Sequence, residues 1–484
     1  MDLNTLNIVS AAKGLREKKF SSVELTKACL NQIEKRDKDI NAFITVCQES
    51  ALKEAEEIDK KFNAGEDLPK LAGIPCAIKD NFNTKGIKTT CASKILENFV
   101  PTYNATSIQK LKEQGMVLLG KTNLDEYTCG ASCEHSYFGP TKNPYDLERV
   151  SGGSSGGSAA GVASNMCLYA LGTDTGGSIR QPASFCNVIG LKVTYGRVSR
   201  FGVTSFASSF DTIGPLTKTV EDAAIVLQAI AGKDSLDATT PGKEVPDYRS
   251  FLDKNIKGLK IGVPKEYFGE GINSEIAEMI QKALKDLEKE GAILKEISLP
   301  MTKYGIALYY IIAPTELSAN LGRFDGLRYG RKGEEQAKDL IDQYCISRGE
   351  GFGDEIKRRI MIGTYVSSSG YYDAYYKKAQ KVRTLFIKDF NKAFENVDVI
   401  CGPVSPIPPW KFGENDNNPL AEYLADLMTI PASCAGITGI SVPCGKDSKG
   451  LPVGLQILAP QFEEGRLFQT GRAYERIVVR DSPA

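Results

Sequence analysis

Apolar and polar positions alternate with two different periods along the chain, and the changes of period divide it into elements. Ser21 and Glu24 are spaced as a capping box, opening a helix to about Arg36 with Leu25, Ala28, Cys29, Gln32 and Ile33 along one face. AFITV (42–46) reads as a strand, and a charged helix follows over about 49–62. Residues 74–78 form an apolar run of strand length, which places Lys79 and Asp80 at its C-terminal edge, where open α/β sheets carry their chemistry. Position alone makes a lysine there a solvated strand end, but its apolar and Asn/Thr/Gly-rich neighbours leave its role open. Asn104 and Gly115 bound a helix, and MVLLG after it is strand-like. Further on come a helix from about Val220, a strand within 257–268, a long helix over 273–290 and a helix-rich stretch over about 300–395. Lysines and arginines recur beside tyrosines in that stretch, as in an amphipathic layer with a basic outer face. VDVICGP, GISVPCG and GLPVGLQILAP return to strands punctuated by Pro and Gly. The pattern predicts one large mixed α/β domain with a helical section at about 260–395.

One stretch resists this periodic reading. Residues 151–180, SGGSSGGSAAGVASNMCLYALGTDTGGSIR, hold two Gly/Ser clusters separated by CLYALG, a short buried strand. A flexible linker has such a composition, but linkers do not alternate with buried strands, and SAAGVASNM and SIRQPAS both open helices. Glycines ahead of a helix let bare N–H groups converge on an anion or oxyanion, and the serines add nucleophilic or proton-shuttling hydroxyls. Ser178 is expected in the first turn of the second helix. Phosphate binding and acyl transfer both fit.

Composition narrows the choice. The 484 residues carry 60 basic and 60 acidic side chains, a balance that argues against tight nucleic-acid binding by this chain alone. No apolar run reaches membrane-span length and the N-terminal sequence lacks a signal-peptide pattern, so a cytoplasmic protein is expected. The twelve cysteines are scattered, and CGASC (129–133) lacks the spacing of a zinc site, so reduced, mostly buried thiols and no metal are expected. There is a single histidine, His135, so a hydrolase built here takes its base from elsewhere. Residues 115–122 satisfy the phosphate-loop pattern G-x-x-x-x-G-K-[ST], but the four intervening residues are apolar and form a strand where a phosphate loop needs bare backbone.

The segments GIPCAIKDN, GGSSGGSAAGVA and GTDTGGSIRQPASFCNVIGLKVTYGRVS occur in the order found in the amidase signature family, which the chain resembles. YYIIAPTELSANLGRFDGLRYG, KRRIMIGTYVSSSGYYDAYYKKAQKVR and GLPVGLQILAP extend the likeness over nearly the whole length. They are similar to one branch, the A subunits of tRNA-dependent amidotransferases acting on Glu-tRNA(Gln) or Asp-tRNA(Asn). The resemblance implies the amidase signature fold, a large mixed β-sheet flanked by helices, with a mainly helical part at 1–65, the signature core at about 66–230, a helix-rich section at about 260–395 and a return to the sheet at about 396–484. It implies a triad of Ser178 as nucleophile, Ser154 after a cis peptide as bridge, and Lys79 as general base. An oxyanion hole is implied at the amides of Thr175, Gly176, Gly177 and Ser178. A lysine base near neutral pH needs its pKa lowered by roughly 3 units; burial lowers it, and Arg180 is a candidate cation to assist.

For this branch the resemblance further implies glutamine as ammonia donor, with Arg358 on its carboxylate, Asp426 on its ammonium, Tyr309 or Tyr310 lining the pocket, and Thr128 and Gly130 giving backbone contacts. Asp125 and Glu126 are placed at the start of an ammonia path by their polarity alone. No cofactor is implied in this chain. ATP, Mg²⁺ and most tRNA contacts fall to a partner B subunit, with a small C subunit completing a heterotrimer. A stand-alone amidase for another small amide needs the same triad but neither Arg358 nor Asp426.

Overall fold

The computed structural model describes residues 2–269, 271–415 and 418–481. The capping box forms: Ser21 Oγ accepts from the Glu24 N–H, and the Glu24 carboxylate accepts from the Ser21 N–H. The helix runs over Ser22–Ile40, one turn beyond the expected stop, and ends where Asn41 turns left-handed at φ 59°.

Eleven strands make one mixed sheet. In chain order they are β1 (Phe43–Val46), β2 (Pro75–Lys79), β3 (Val117–Thr122), β4 (Tyr169–Asp174), β5 (Ile189–Lys192), β6 (Thr212–Thr217), β7 (Lys260–Pro264), β8 (Ile293–Ile297), β9 (Val399–Pro403), β10 (Thr438–Lys446) and β11 (Pro452–Ala459). Across the sheet the order is β1-β3-β2-β4-β6-β5-β10-β11-β9-β7-β8. The strand expected over 257–268 is shorter, because Lys265–Phe268 winds into a 3₁₀ turn. A C-terminal helix, Glu464–Asp481, packs on β10 and β11 and has no counterpart among the sequence-based expectations.

β2 lies between β3 and β4 and runs parallel to both, with Lys79 opposite Thr122 and Ile78 opposite Leu171. Parallel pairing brings the ends of β2 and β4 to one edge of the sheet, so Lys79 and the TDTGGS segment meet there. The phosphate-loop lookalike is the strand β3 itself. Lys121 is fully buried and pairs with Asp80 at 3.0 Å, donating also to the Phe82 carbonyl and Thr89 Oγ1. Asp80 in turn accepts from Thr90 N and Oγ1. This buried pair ties the end of β2 to the loop that follows it.

A second apolar cluster lies in the helical layer, where Leu308, Tyr309, Ile312 and Leu317 of helix Gly305–Leu321 are buried with Phe352, Ile356 and Phe386. Helix Asp354–Ser367 packs against Gly305–Leu321, and any side chain at Gly363 would run into the Pro314 carbonyl. Among the described residues, no helix is long and apolar enough to cross a membrane.

Removing one partner of a buried ion pair strands the other charge at a cost of about 3–5 kcal/mol. Lys121→Met is therefore expected to lower the thermal unfolding midpoint strongly. Adding ATP should shift the midpoint of neither wild type nor variant; an ATP-dependent rise lost in Lys121→Met would revive the nucleotide reading of residues 115–122.

Candidate active site

Lys79 is fully buried, and its Nζ lies 2.7 Å from Ser154 Oγ, 2.8 Å from Ser155 Oγ and 3.0 Å from Thr173 Oγ1. Ser155 donates its own proton to the Thr173 carbonyl, so toward the amine it acts as acceptor. A neutral amine has two N–H groups and one lone pair. With Ser155 and Thr173 taking the N–H groups, the lone pair is left for the Ser154 hydroxyl. Burial pushes the Lys79 pKa down to about 7, against the opposing pull of Asp125, Cys133, Asp174 and Asp211.

Arg180 does not assist in this. Its guanidinium is buried and makes two hydrogen bonds to Asp174, each 3.0 Å long, with further bonds to the Thr429 carbonyl, Gln456 and Ser433. Its charge is matched by Asp174, whose carboxyl it holds below the ordinary range against the effect of burial. Desolvation, not a neighbouring cation, lowers the lysine.

The Gly153–Ser154 peptide is cis. Ser178 is 6% exposed and precedes its helix, which starts at Arg180 and not at the serine. The Ser178 carbonyl accepts from the Ser155 N–H at 3.1 Å, which holds the two Gly/Ser clusters together. Its hydroxyl makes no hydrogen bond to Ser154 or to any other described residue; such contacts are commonly long in ligand-free sites and tighten when substrate binds. The N–H groups of Thr175, Gly176, Gly177 and Ser178 have no acceptor among the described residues, whereas those of Ile179 and Arg180 are taken by Asp174. Four unspent donors therefore line the loop beside the serine.

Tyr309 and Asp426 close over that loop. A Cβ on Gly176 would meet Tyr309 Cζ at 2.9 Å, and one on Gly177 would meet Asp426 Oδ1 at 2.7 Å and strike the Thr429 hydroxyl. Glycine is needed at both positions for this approach. Asp426 Oδ1 is buried with no hydrogen-bond partner among the described residues, and burial, with Asp174 adding, raises its pKa well above the ordinary range. Tyr310 stacks on Tyr423 with ring centroids 4.0 Å apart.

The guanidinium that reaches these rings belongs to Arg359. It is buried, lies 4.5 Å from the centroids of both Tyr310 and Tyr423, and pairs with Glu355 at 2.6 Å. Arg358, the residue expected from the sequence, has a side chain 45% exposed and pairs with the other Glu355 oxygen on the outer side of the helix. One residue is a 100° turn of a helix, enough to exchange an outward arginine for an inward one.

Thr128 and Gly130 lie on a segment with Tyr127 and Thr128 both left-handed, at φ 48° and 63°. Gly130 and Gly153 each press on the Asp125 carboxyl, which burial raises to about 6. Glu126 accepts from Ser93 Oγ and from the Gly353 N–H, and burial raises it to about 7. Ser155, Thr173, Tyr423 and Arg359 are not singled out by the sequence. The first two sit inside the Gly/Ser clusters, so proximity in sequence was their only available signal.

A buried lysine amine beside a cis-linked serine, under a glycine loop with unspent amides, defines an amide-hydrolase class of site. The chain belongs to the amidase family, whose sequence profile matches residues 24–468. It is 53% identical to the A subunit of glutamyl-tRNA(Gln) amidotransferase of Carboxydothermus hydrogenoformans over 476 residues, covering 98% of each chain. The crystal structure of the A subunit of glutamyl-tRNA(Gln) amidotransferase from Thermotoga maritima superimposes with a TM-score of 0.82 at 42% identity, covering 100% of this chain and 96% of that one. Native peptide amidase from Stenotrophomonas maltophilia gives a TM-score of 0.82 at 29% identity, covering 97% of this chain and 96% of the other.

The two arginines separate in a stability test. Arg359→Ala leaves Glu355 buried without its inward partner and removes the cation that lies against two rings, and is expected to lower the melting temperature clearly. Arg358→Ala removes a half-exposed arginine and leaves Glu355 still paired with Arg359, so it should lower the melting temperature much less. Thermal melts of both variants check this; equal losses would contradict the inward placement of Arg359.

Proposed function

We propose that this chain is the glutaminase subunit of a tRNA-dependent amidotransferase, with Lys79, Ser154 and Ser178 as its catalytic triad. The observation that carries the reading is the neutral-leaning Lys79 amine with its lone pair left for Ser154. Ser178 Oγ attacks the side-chain amide carbon of glutamine as its proton passes to Ser154 and the Ser154 proton passes to Lys79. The carbonyl oxygen takes negative charge beside the amides of Thr175, Gly176, Gly177 and Ser178. The C–N bond then breaks, the leaving nitrogen takes the proton back from the relay, and ammonia departs. Water, deprotonated through the same relay, cleaves the glutamyl ester and frees Ser178 with glutamate as product.

Free glutamine brings an α-carboxylate and an α-ammonium, and the pocket offers one group for each. Arg359, in place of Arg358, meets the carboxylate; Asp426 meets the ammonium. An arriving cation reverses the effect of burial on Asp426 and draws it to the carboxylate form. Tyr309 and Tyr310 form the wall between these charges, with Thr128 and Gly130 opposite. The relatives named as the A subunit of glutamyl-tRNA(Gln) amidotransferase support the assignment of a complex. In it, B and C subunits accompany this chain, and ATP, Mg²⁺ and the tRNA acceptor, Glu-tRNA(Gln) or Asp-tRNA(Asn), are handled mainly by B. Ammonia leaves past Asp125 and Glu126.

Ammonia release from glutamine by the assembled complex tests the triad. Ser178→Ala and Lys79→Ala should each reduce it by at least about a thousandfold. The reacting base is the unprotonated amine, so kcat/KM should rise with pH through a limb near the Lys79 value of about 7 and level off above it. Wild-type cleavage of other amides with indifference to glutamine would instead favour a stand-alone amidase.

Asp426→Asn and Arg359→Ala are expected to raise KM for glutamine about tenfold or more while hydrolysis of a neutral amide lacking both α-groups changes little. Steady-state kinetics on the two substrates check this, and equal losses on both would show that these residues do not read the α-groups.

A further inference from the structure

A hollow of about 640 Å³ opens on the flank of the helical layer, walled by residues of the loops around 96–103, 201–205 and 320–330. Its charged lining residues are Arg323 and Arg328, with no acidic side chain among them. Arg328 is held by Asp325 at 2.9 Å, but among the described residues Arg323 donates only to the carbonyl and amide oxygens of Asn320. Asn83 forms part of the wall, is 7% exposed, and its Oδ1 has no hydrogen-bond partner among the described residues. At the rim Phe99, Tyr103 and Tyr329 are exposed by 40, 45 and 58%. Exposed aromatics around an unneutralised arginine, over a buried and unspent acceptor, are what protein interfaces gather at their energetic centres.

The charge changes sign close by. Leu96 lines this hollow, while Lys94 lines a second one whose walls carry the five acids Glu126, Glu134, Glu350, Asp354 and Glu355 against Lys94 and His135. An acidic segment is attracted to the first and repelled by the second, which fixes its register.

We propose that the Arg323 hollow seats an acidic segment of the partner protein that receives the ammonia. A carboxylate of that segment meets Arg323, a donor meets Asn83 Oδ1, and an apolar side chain fills the space between Phe99, Tyr103 and Tyr329. This inference rests on the amidotransferase reading above. The seat lies next to the chemistry: Asn83 is two residues from Asn81, whose amide nitrogen lies 3.4 Å from the Thr173 hydroxyl that accepts from Lys79. The occupant therefore rests on the loop that leaves the lysine.

Arg323→Glu and Tyr329→Ala, both at exposed positions, test the seat in the full chain by titration with the purified B and C subunits. Arg323→Glu should weaken association about tenfold or more and Tyr329→Ala severalfold, with melting temperatures at the wild-type value and a wild-type affinity that falls as salt rises. Unchanged affinity in both variants overturns the proposal. So does binding of ATP or a single-stranded oligonucleotide to the isolated chain that is lost in Arg323→Glu while affinity for the B and C subunits holds. If the wild-type chain binds neither of them at any salt, the amidotransferase reading itself falls, an outcome distinct from a misplaced seat.

Discussion

The constraint on which the rest of the structure depends is the removal of the Lys79 amine from water without giving it a counter-ion. Moving its pKa from the ordinary 10.5 to about 7 amounts to roughly 5 kcal/mol of preference for the neutral form. A carboxylate bonded to the amine would cancel that preference, so its hydrogen bonds must come from hydroxyls. Ser154, Ser155 and Thr173 supply them. The nearby acids must also be answered. Asp174 is spent on Arg180 and on two backbone N–H groups, and Asp80, the next residue along from the lysine, is paired with Lys121. Two buried ion pairs thus surround a third buried cation-former that has none.

Bringing those hydroxyls together requires several backbones to come closer than side chains allow, and this explains the composition of residues 151–178. A Cβ at Gly157 would meet Asn123 N and the Ala42 carbonyl at 2.6 Å, and one at Gly172 would meet Ser155 Oγ at 2.8 Å. At Gly153 it would strike the Asp125 carboxyl. The glycines are there for proximity, and the serines and threonines between them hold side chains small enough to fit and polar enough to bond. The same stretch that looks like a linker by composition is among the most tightly enclosed parts of the chain, buried from Val150 through Val162.

This accounts for what could be read in the sequence. The capping box at Ser21, the apolar run ending in Lys79 and the first Gly/Ser cluster each follow from local rules and stand where those rules put them, whereas the helix after the second cluster starts at Arg180 and leaves Ser178 ahead of its first turn. The apolar residues inside the phosphate-loop lookalike correctly marked a strand. What was not legible depends on contacts distant in sequence or on helical phase. Nothing local distinguishes Arg358 from Arg359 in KRR, because the choice is made by Tyr310 and Tyr423 on other segments. Arg180 looked available as a cation near the lysine because nothing local shows that the Gly-rich turn folds it back on Asp174, six residues before it, while its other partners Gln456, Ser433 and Thr429 lie some 250 or more residues away. The C-terminal helix escaped notice because its apolar positions become a face only against β10 and β11.

The helical layer completes an arrangement that the sheet begins. The sheet edge provides the lysine, the hydroxyls and the bare amides, the groups to which the proposed mechanism assigns bond making and breaking at one carbonyl. Tyr309, Tyr310, Arg359 and Asp426 come from helices or their flanking turns and set a guanidinium and a buried carboxyl among aromatic walls. Changing the helical layer would alter which amide is admitted while leaving the sheet edge intact. The TM-score of 0.82 with a peptide amidase at 29% identity fits that division, since the scaffold persists while the sequence changes. On the proposed reading, the layer of this chain would read two charges of opposite sign, a demand that a zwitterionic amino-acid amide meets and a neutral amide does not.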